Sequence, residues 1–172
     1  MPVIHKKGNL LNSDCDYICH QVNCQGKMNS GIAKSIREKW PHVYNNYFSK
    51  WCQNMYAERP NSNLLGDIQI IDLYEYNVSP EFKQYVINMF AQDGYGYDGL
   101  RYTSYDAFWT CLYQIKRTIP KGKKIGFPYN IGCCRGGGNW DLIYWMIDYI
   151  LGKDYNVEIW QLEEEENETE DS

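Results

Sequence analysis

No apolar run in this chain approaches the ~18 residues that a membrane-spanning helix needs, and no charged-then-apolar leader opens it. Both absences predict a soluble protein that stays in the cytoplasm. Positive charge is scarce as well. Seventeen Lys and Arg stand against 22 Asp and Glu, a formal net charge of −5 with a pI near 5.2. That balance argues against a general affinity for DNA or RNA, because nucleic-acid phosphates demand a basic face. Paired Cys-x-x-Cys knuckles are missing too. Cys15, Cys19, His20 and Cys24 crowd together, but Cys19 and His20 occupy successive strand positions and point to opposite faces, so no metal site is expected. The cysteine count, 7, is odd, which fits reduced thiols better than a disulfide framework. Cys133 and Cys134 are vicinal, a poor geometry for a disulfide between them. Neither Gly-x-Gly-x-x-Gly nor Gly-x-x-x-x-Gly-Lys-Ser/Thr follows the first strand, which argues against an ordinary doubly wound nucleotide enzyme.

What is present is a chain of 172 residues, enough for one domain with a real core. We expect residues 1–162 to form that domain and 163–172, an acidic run, to be a disordered tail. Strands and helices alternate. Val3 to Lys6 and Tyr17 to Val22 read as strands. Ile32, Ala33, Ile36 and Trp40 recur at helical spacing from about Gly31 to the stop before Pro41, and Val43, Tyr44, Tyr47, Phe48 and Trp51 mark a second helix. Ile68 to Leu73 and Tyr85 to Ala91 form an adjacent strand pair around a polar turn at Asn77 to Pro80. Ser104 is placed to cap a helix running to Ile119, with Ala107, Phe108, Cys111, Leu112 and Ile115 on one face. Lys124 to Pro128, a helix from Trp140 to Leu151 with Gly152 as its C′ cap, and the strand Val157 to Leu162 complete the chain. This alternation predicts an α/β fold with three α/β/α layers and a mixed, mostly parallel central sheet.

Two loops stand out. The first follows the strand ending at Asn23 and runs through Asn29, Ser30 and Gly31 into a helix beginning Ile32-Ala33. The second, Ile131-Gly132-Cys133-Cys134-Arg135-Gly136, follows the strand ending at Pro128 and precedes another helix. Unpaired backbone N–H groups and a partial positive charge collect at such junctions, and two of them predict a diphosphate gripped from both sides.

Four pieces in order, Lys7-Gly8-Asn9-Leu10, Val22-Asn23 with Asn29-Ser30-Gly31-Ile32-Ala33, Leu65-Gly66-Asp67-Ile68, and Asn130-Ile131-Gly132-Cys133, resemble the macrodomains, the ADP-ribose-binding fold. The likeness spans residues 3 to about 151. It implies ADP-ribose or a derivative as ligand, no cofactor and no metal, and we expect a monomer. Asn9 falls where many members place a carboxylate on the adenine amino group; an amide oxygen still accepts that hydrogen bond, but without the charge. The alternative for Asn9 is a turn residue. Asn23 matches the asparagine that bonds the distal ribose, its alternative being to hold the loop. Gly31 matches the last of three glycines, the first two replaced here by Asn29 and Ser30. Arg135 is a candidate phosphate contact or a plain surface arginine.

Within the family, the segment Tyr85 to Phe108 resembles the branch of ADP-ribose-1″-phosphate phosphatases and glutamate-ADP-ribose hydrolases. Gln92 and Gly136 stand where those hydrolases carry Lys and Asp, so the lysyl mechanism is not expected. His20 lies where the phosphatases carry a histidine, and imidazole titrates near neutrality. The implied chemistry is dephosphorylation of ADP-ribose-1″-phosphate with His20, Asn23 and Asp93 as catalytic candidates. The alternatives are a non-catalytic module that binds ADP-ribose, with His20 an ordinary core residue, and a de-ADP-ribosylating hydrolase that works without the lysine.

Overall fold

The computed structural model describes residues 2–57, 64–74, 81–96, 98 and 100–163. The turn expected at Asn77 to Pro80, and the acidic tail beyond Glu163, lie outside these residues. Among the described residues six strands form one sheet: β1 (Ile4–Lys7), β2 (Tyr17–Asn23), β3 (Ile68–Asp72), β4 (Tyr85–Gln92), β5 (Lys124–Pro128) and β6 (Asn156–Gln161), in spatial order β1-β6-β5-β2-β4-β3. Every pairing is parallel except β3 with β4. The helices are α1 (Gly31–Lys39), α2 (Pro41–Met55), α3 (Tyr105–Thr118) and α4 (Trp140–Leu151).

Strand alternation divides the core in two. Ile18 and Val22 of β2, with Val86 and Phe90 of β4, pack with Ile36 of α1 and Val43 and Tyr47 of α2. Cys19, Ile87, Met89 and Ala91 face the other way, onto Phe108, Leu112 and Ile115 of α3 and Ile143, Ile147 and Leu151 of α4. The two clusters are the two helix-covered faces of an α/β/α sandwich, and the apolar runs of β2, β4 and β5 are what burial on both faces requires. The helical stripe read from α3 is the face that is buried. Full burial of its Phe108, Leu112 and Ile115 contributes roughly 1.5–3 kcal/mol each.

Helix ends follow local chemistry in most places. Ser104 caps α3 by accepting from the Ala107 N–H at 3.1 Å, and Asn139 caps α4 by accepting from Leu142. Gly152 differs from the expected left-handed cap. Its φ is −61° and ψ −28°, still right-handed, and the glycine is needed because a β-carbon there would lie 2.5 Å from the Asp148 carbonyl oxygen. A short 3₁₀ turn at Leu10–Asn12 was not legible in the sequence. No helix among the described residues is long and apolar enough to cross a membrane.

Candidate functional site

The chain leaves β2 toward α1 on one face of the sheet and leaves β5 toward α4 on the other, and β2 and β5 are neighbours. Connections that diverge from adjacent parallel strands open a crevice at their C-terminal ends. A cleft of about 200 Å³ lies there, walled by Gln21, Val22, Asn23 and Lys27, by Asn29 to Ala33, by Gln92 and Tyr95, and by Pro128 to Gly132 with Cys134 to Gly136.

The first wall is shaped by a shift in register. Val22 pairs with Phe90 but Asn23 pairs with Gln92, a bulge that re-aims the end of β2. The Asn23 amide then ties the loop together: its Nδ2 donates to the Lys27 carbonyl at 2.9 Å, and its Oδ1 accepts from the Gln25 N–H at 2.9 Å. Gly31 opens α1 at φ +57°, a left-handed conformation that favours glycine. Ser30 is the N-cap residue, yet its side chain makes no capping bond. The hydroxyl instead accepts from Arg135 at 2.5 Å. The first N–H groups of α1 therefore have neither an intrahelical acceptor nor a side-chain cap.

The second wall rests on a polar network. Gln21 Nε2 donates to Gln92 Oε1 and to Thr103 Oγ1, each at 2.8 Å, and Thr103 Oγ1 donates to the Gly132 carbonyl at 2.7 Å. The Gly136 carbonyl accepts from the N–H groups of Tyr102 and Thr103. Asn130 at φ +62° and Gly132 at φ +75° bend this loop, and the N–H groups of Gly132 and Gly136 donate to nothing among the described residues. The Arg135 guanidinium lies 4.5 Å from the Tyr95 ring centroid, so that residue joins all three segments of the wall.

Electrostatically the cleft departs from the chain around it. Lys27 and Arg135 line it, and no Asp or Glu among the described residues does, although acidic residues outnumber basic ones in the sequence. Such a wall is electrostatically favourable to negative charge.

Of the residues singled out from the sequence, Asn23, Asn29, Ser30, Gly31, Ile32, Ala33, Ile131, Gly132, Cys134, Arg135 and Gly136 meet on this wall. Five do not. Asn9 caps the 3₁₀ turn, accepting from the Leu11 N–H at 2.9 Å. Leu10 is buried in the core, where it fills the space that a β-carbon on Gly126 would need. Cys133 packs against the α3/α4 core, and burial pushes its thiol up to about 12. Asp93 is exposed, its carboxylate accepting from Gln25 at 3.1 Å.

The fifth is His20, the residue expected to carry catalysis. It is fully buried and does not line the cleft. Its Nε2 lies 2.5 Å from Asn88 Oδ1, Asn88 donates to Gln69, and Gln69 donates to the Asn46 carbonyl. That last acceptor fixes the direction of the whole row, so His20 carries its proton on Nε2. Burial, opposed by the Asn88 bond, holds the imidazole down to about 4. The ring lies between Ile18 and Val22 on the core face of β2.

The sequence did not single out Gln21, Val22, Lys27, Tyr95 or Pro128 to Asn130 as ligand contacts. The rule that ligands gather beyond the carboxyl ends of parallel strands points to Gln21, Val22 and Pro128 to Asn130. Nothing local signals the orientation of Lys27 or Tyr95.

No protein-family model matches the chain, and no curated protein matches it by sequence. Among solved structures it is similar to a protein of Bacteroides thetaiotaomicron, at 26% identity over 94% of this chain and 100% of that one, with a TM-score of 0.73. It is similar to the macrodomain of Thermus aquaticus DarG, at 19% identity over 94% and 98% of the two chains, TM-score 0.67. It is also similar to Thermosipho africanus DarTG in complex with ADP-ribose, at 16% identity over 94% of this chain and 42% of that one, TM-score 0.70. The chain has the macrodomain fold.

Proposed function

We propose that this macrodomain-fold chain binds ADP-ribose, free or as a derivative, with the diphosphate held between the α1 N-terminus and the loop after β5. One observation carries the reading: within an acidic chain, the cleft is lined by two cations and no described carboxylate, and backbone N–H groups without acceptors stand on both walls. Oriented amides and a helix N-terminus stabilise an anion without the desolvation cost of a buried side-chain charge. The ADP-ribose found with the Thermosipho relative supports the choice of anion.

Turnover is a separate matter. Dephosphorylation of ADP-ribose-1″-phosphate through His20 loses its support, because the imidazole is buried and neutral. Asp93 is off the cleft wall, and Gln92 and Gly136 supply neither amine nor carboxylate. Among the described residues no histidine or carboxylate lines the cleft to move a proton. The reading that fits is a binding module.

Calorimetric titration tests it. We expect micromolar affinity for ADP-ribose, roughly −8 kcal/mol, much weaker binding of AMP, and no phosphate release from ADP-ribose-1″-phosphate. Equal affinity for AMP and ADP-ribose would sink the two-walled site, and phosphate release above background would restore an enzymatic reading.

A further inference from the structure

We propose that Lys27 is the side chain of the first loop that meets the ligand's negative charge, and that Tyr47 of α2 is the positioning residue that presents it. The inference rests on the reading of the cleft as an ADP-ribose site, and it moves a role that the family resemblance gives to Asn23.

The Asn23 amide is already engaged. Its Oδ1 accepts from the Gln25 N–H at 2.9 Å and from the Tyr47 hydroxyl at 2.8 Å, with the Lys27 N–H a third donor at 3.4 Å. A carbonyl oxygen has two lone pairs; the Gln25 N–H takes one, and the Tyr47 hydroxyl, whose single proton is shared with the Asn23 backbone carbonyl, and the Lys27 N–H crowd the other. Its Nδ2 is bonded to the Lys27 carbonyl at 2.9 Å.

Everything in this arrangement converges on Lys27. Tyr47 is fully buried in α2, and its hydroxyl accepts from the Lys27 N–H at 3.0 Å while lying 2.8 Å from both the Asn23 carbonyl and Oδ1. Trp51, one turn further along α2, donates from Nε1 to the Cys24 carbonyl at 3.0 Å, and its ring fills the space beside Gly26, where a β-carbon would come within 2.8 Å. Two aromatic side chains from α2 thus hold residues 23 to 27 from beneath. The Lys27 backbone is pinned at both its N–H and its C=O, and the residue lies on the cleft wall. The other cation there, Arg135, is bonded to Ser30 and stacked on Tyr95. The Lys27 ammonium has no hydrogen bond or ion pair among the described residues. A cation held in place by a rigid backbone and left without a protein partner is arranged for an anion from outside.

The test titrates ADP-ribose into wild type, Lys27→Ala, Lys27→Arg, Tyr47→Phe and the double variant that combines Lys27→Ala with Tyr47→Phe, at two salt concentrations. Lys27→Ala should weaken binding by about tenfold or more and flatten its salt dependence; Lys27→Arg should recover most of the loss. Tyr47→Phe should weaken binding too, and the double variant should bind no worse than Lys27→Ala, because a residue acting through Lys27 has nothing left to act on. A merely structural Tyr47 would give losses that multiply, which overturns its positioning role. Lys27→Ala within twofold of a wild type that binds overturns the inference alone. A wild type that takes no ADP-ribose overturns the proposed function and this inference with it.

Discussion

A side chain at Gly31 should remove the ligand while leaving the fold in place. Gly31 lies on the cleft wall, and a β-carbon built there meets no atom within 4 Å. Among the described residues its φ of +57° is the obstacle to substitution, and for an L-residue that conformation costs about 1–2 kcal/mol. For a domain of this size each kcal/mol lowers the melting temperature by about 2–4 °C, so Gly31→Ala, Gly31→Gln and Gly31→Glu should all remain folded with similar melting points. Binding should separate them. Glutamine places bulk over the uncapped α1 N-terminus, and glutamate adds a charge to that bulk. A carboxylate about 4 Å from a phosphate, at the effective dielectric of a protein surface, costs about 4 kcal/mol, near a thousandfold in affinity. Thermal melts and calorimetry on the three variants resolve the terms, and the gap between Gln and Glu should narrow in high salt. If Gly31→Glu binds ADP-ribose as wild type does, the α1 N-terminus is not part of the site. If Gly31→Ala fails to fold, the account of this glycine as sterically open is wrong.

Other consequences concern the elements around the cleft. Burial lowers the His20 pKa from 6.5 to about 4, so between those values the unfolded chain takes up a proton that the folded chain refuses. Stability should fall by about 3 kcal/mol as pH drops through that window; urea unfolding of His20→Gln should lack that fall, and parallel curves for both proteins would refute the buried neutral ring. Thr103→Val removes the hydroxyl that accepts from Gln21 and donates to the Gly132 carbonyl, which should cost about 1–3 kcal/mol; an unchanged melting point would show that the second loop does not depend on it. Ser104→Ala loses a real cap on α3 and should cost about 1 kcal/mol; an unchanged melting point would show that the cap contributes nothing to stability.

Sequence alone determined the order of strands and helices, the mostly parallel sheet, the cap at Ser104 and the two loops that face each other across the cleft. These follow from apolar period, Gly and Pro placement and cap residues, all of which act within a few positions of the chain. Tertiary structure decided the rest. Alternation placed His20 on one face with Ile18 and Val22, but only the packing of α1 and α2 over that face shows that the ring is sealed in the core. Asn9 and Asp93 carry suitable atoms, yet one is turned to a local cap and the other to solvent. The register shift at Asn23 arises from pairing with β4, a strand far along the chain. Lys27 reads as an ordinary loop lysine until Tyr47, 20 residues away, is seen to hold its backbone. Contacts between distant residues depend on how whole faces pack, and a one-dimensional pattern fixes which residues can share a face without fixing which atoms meet there.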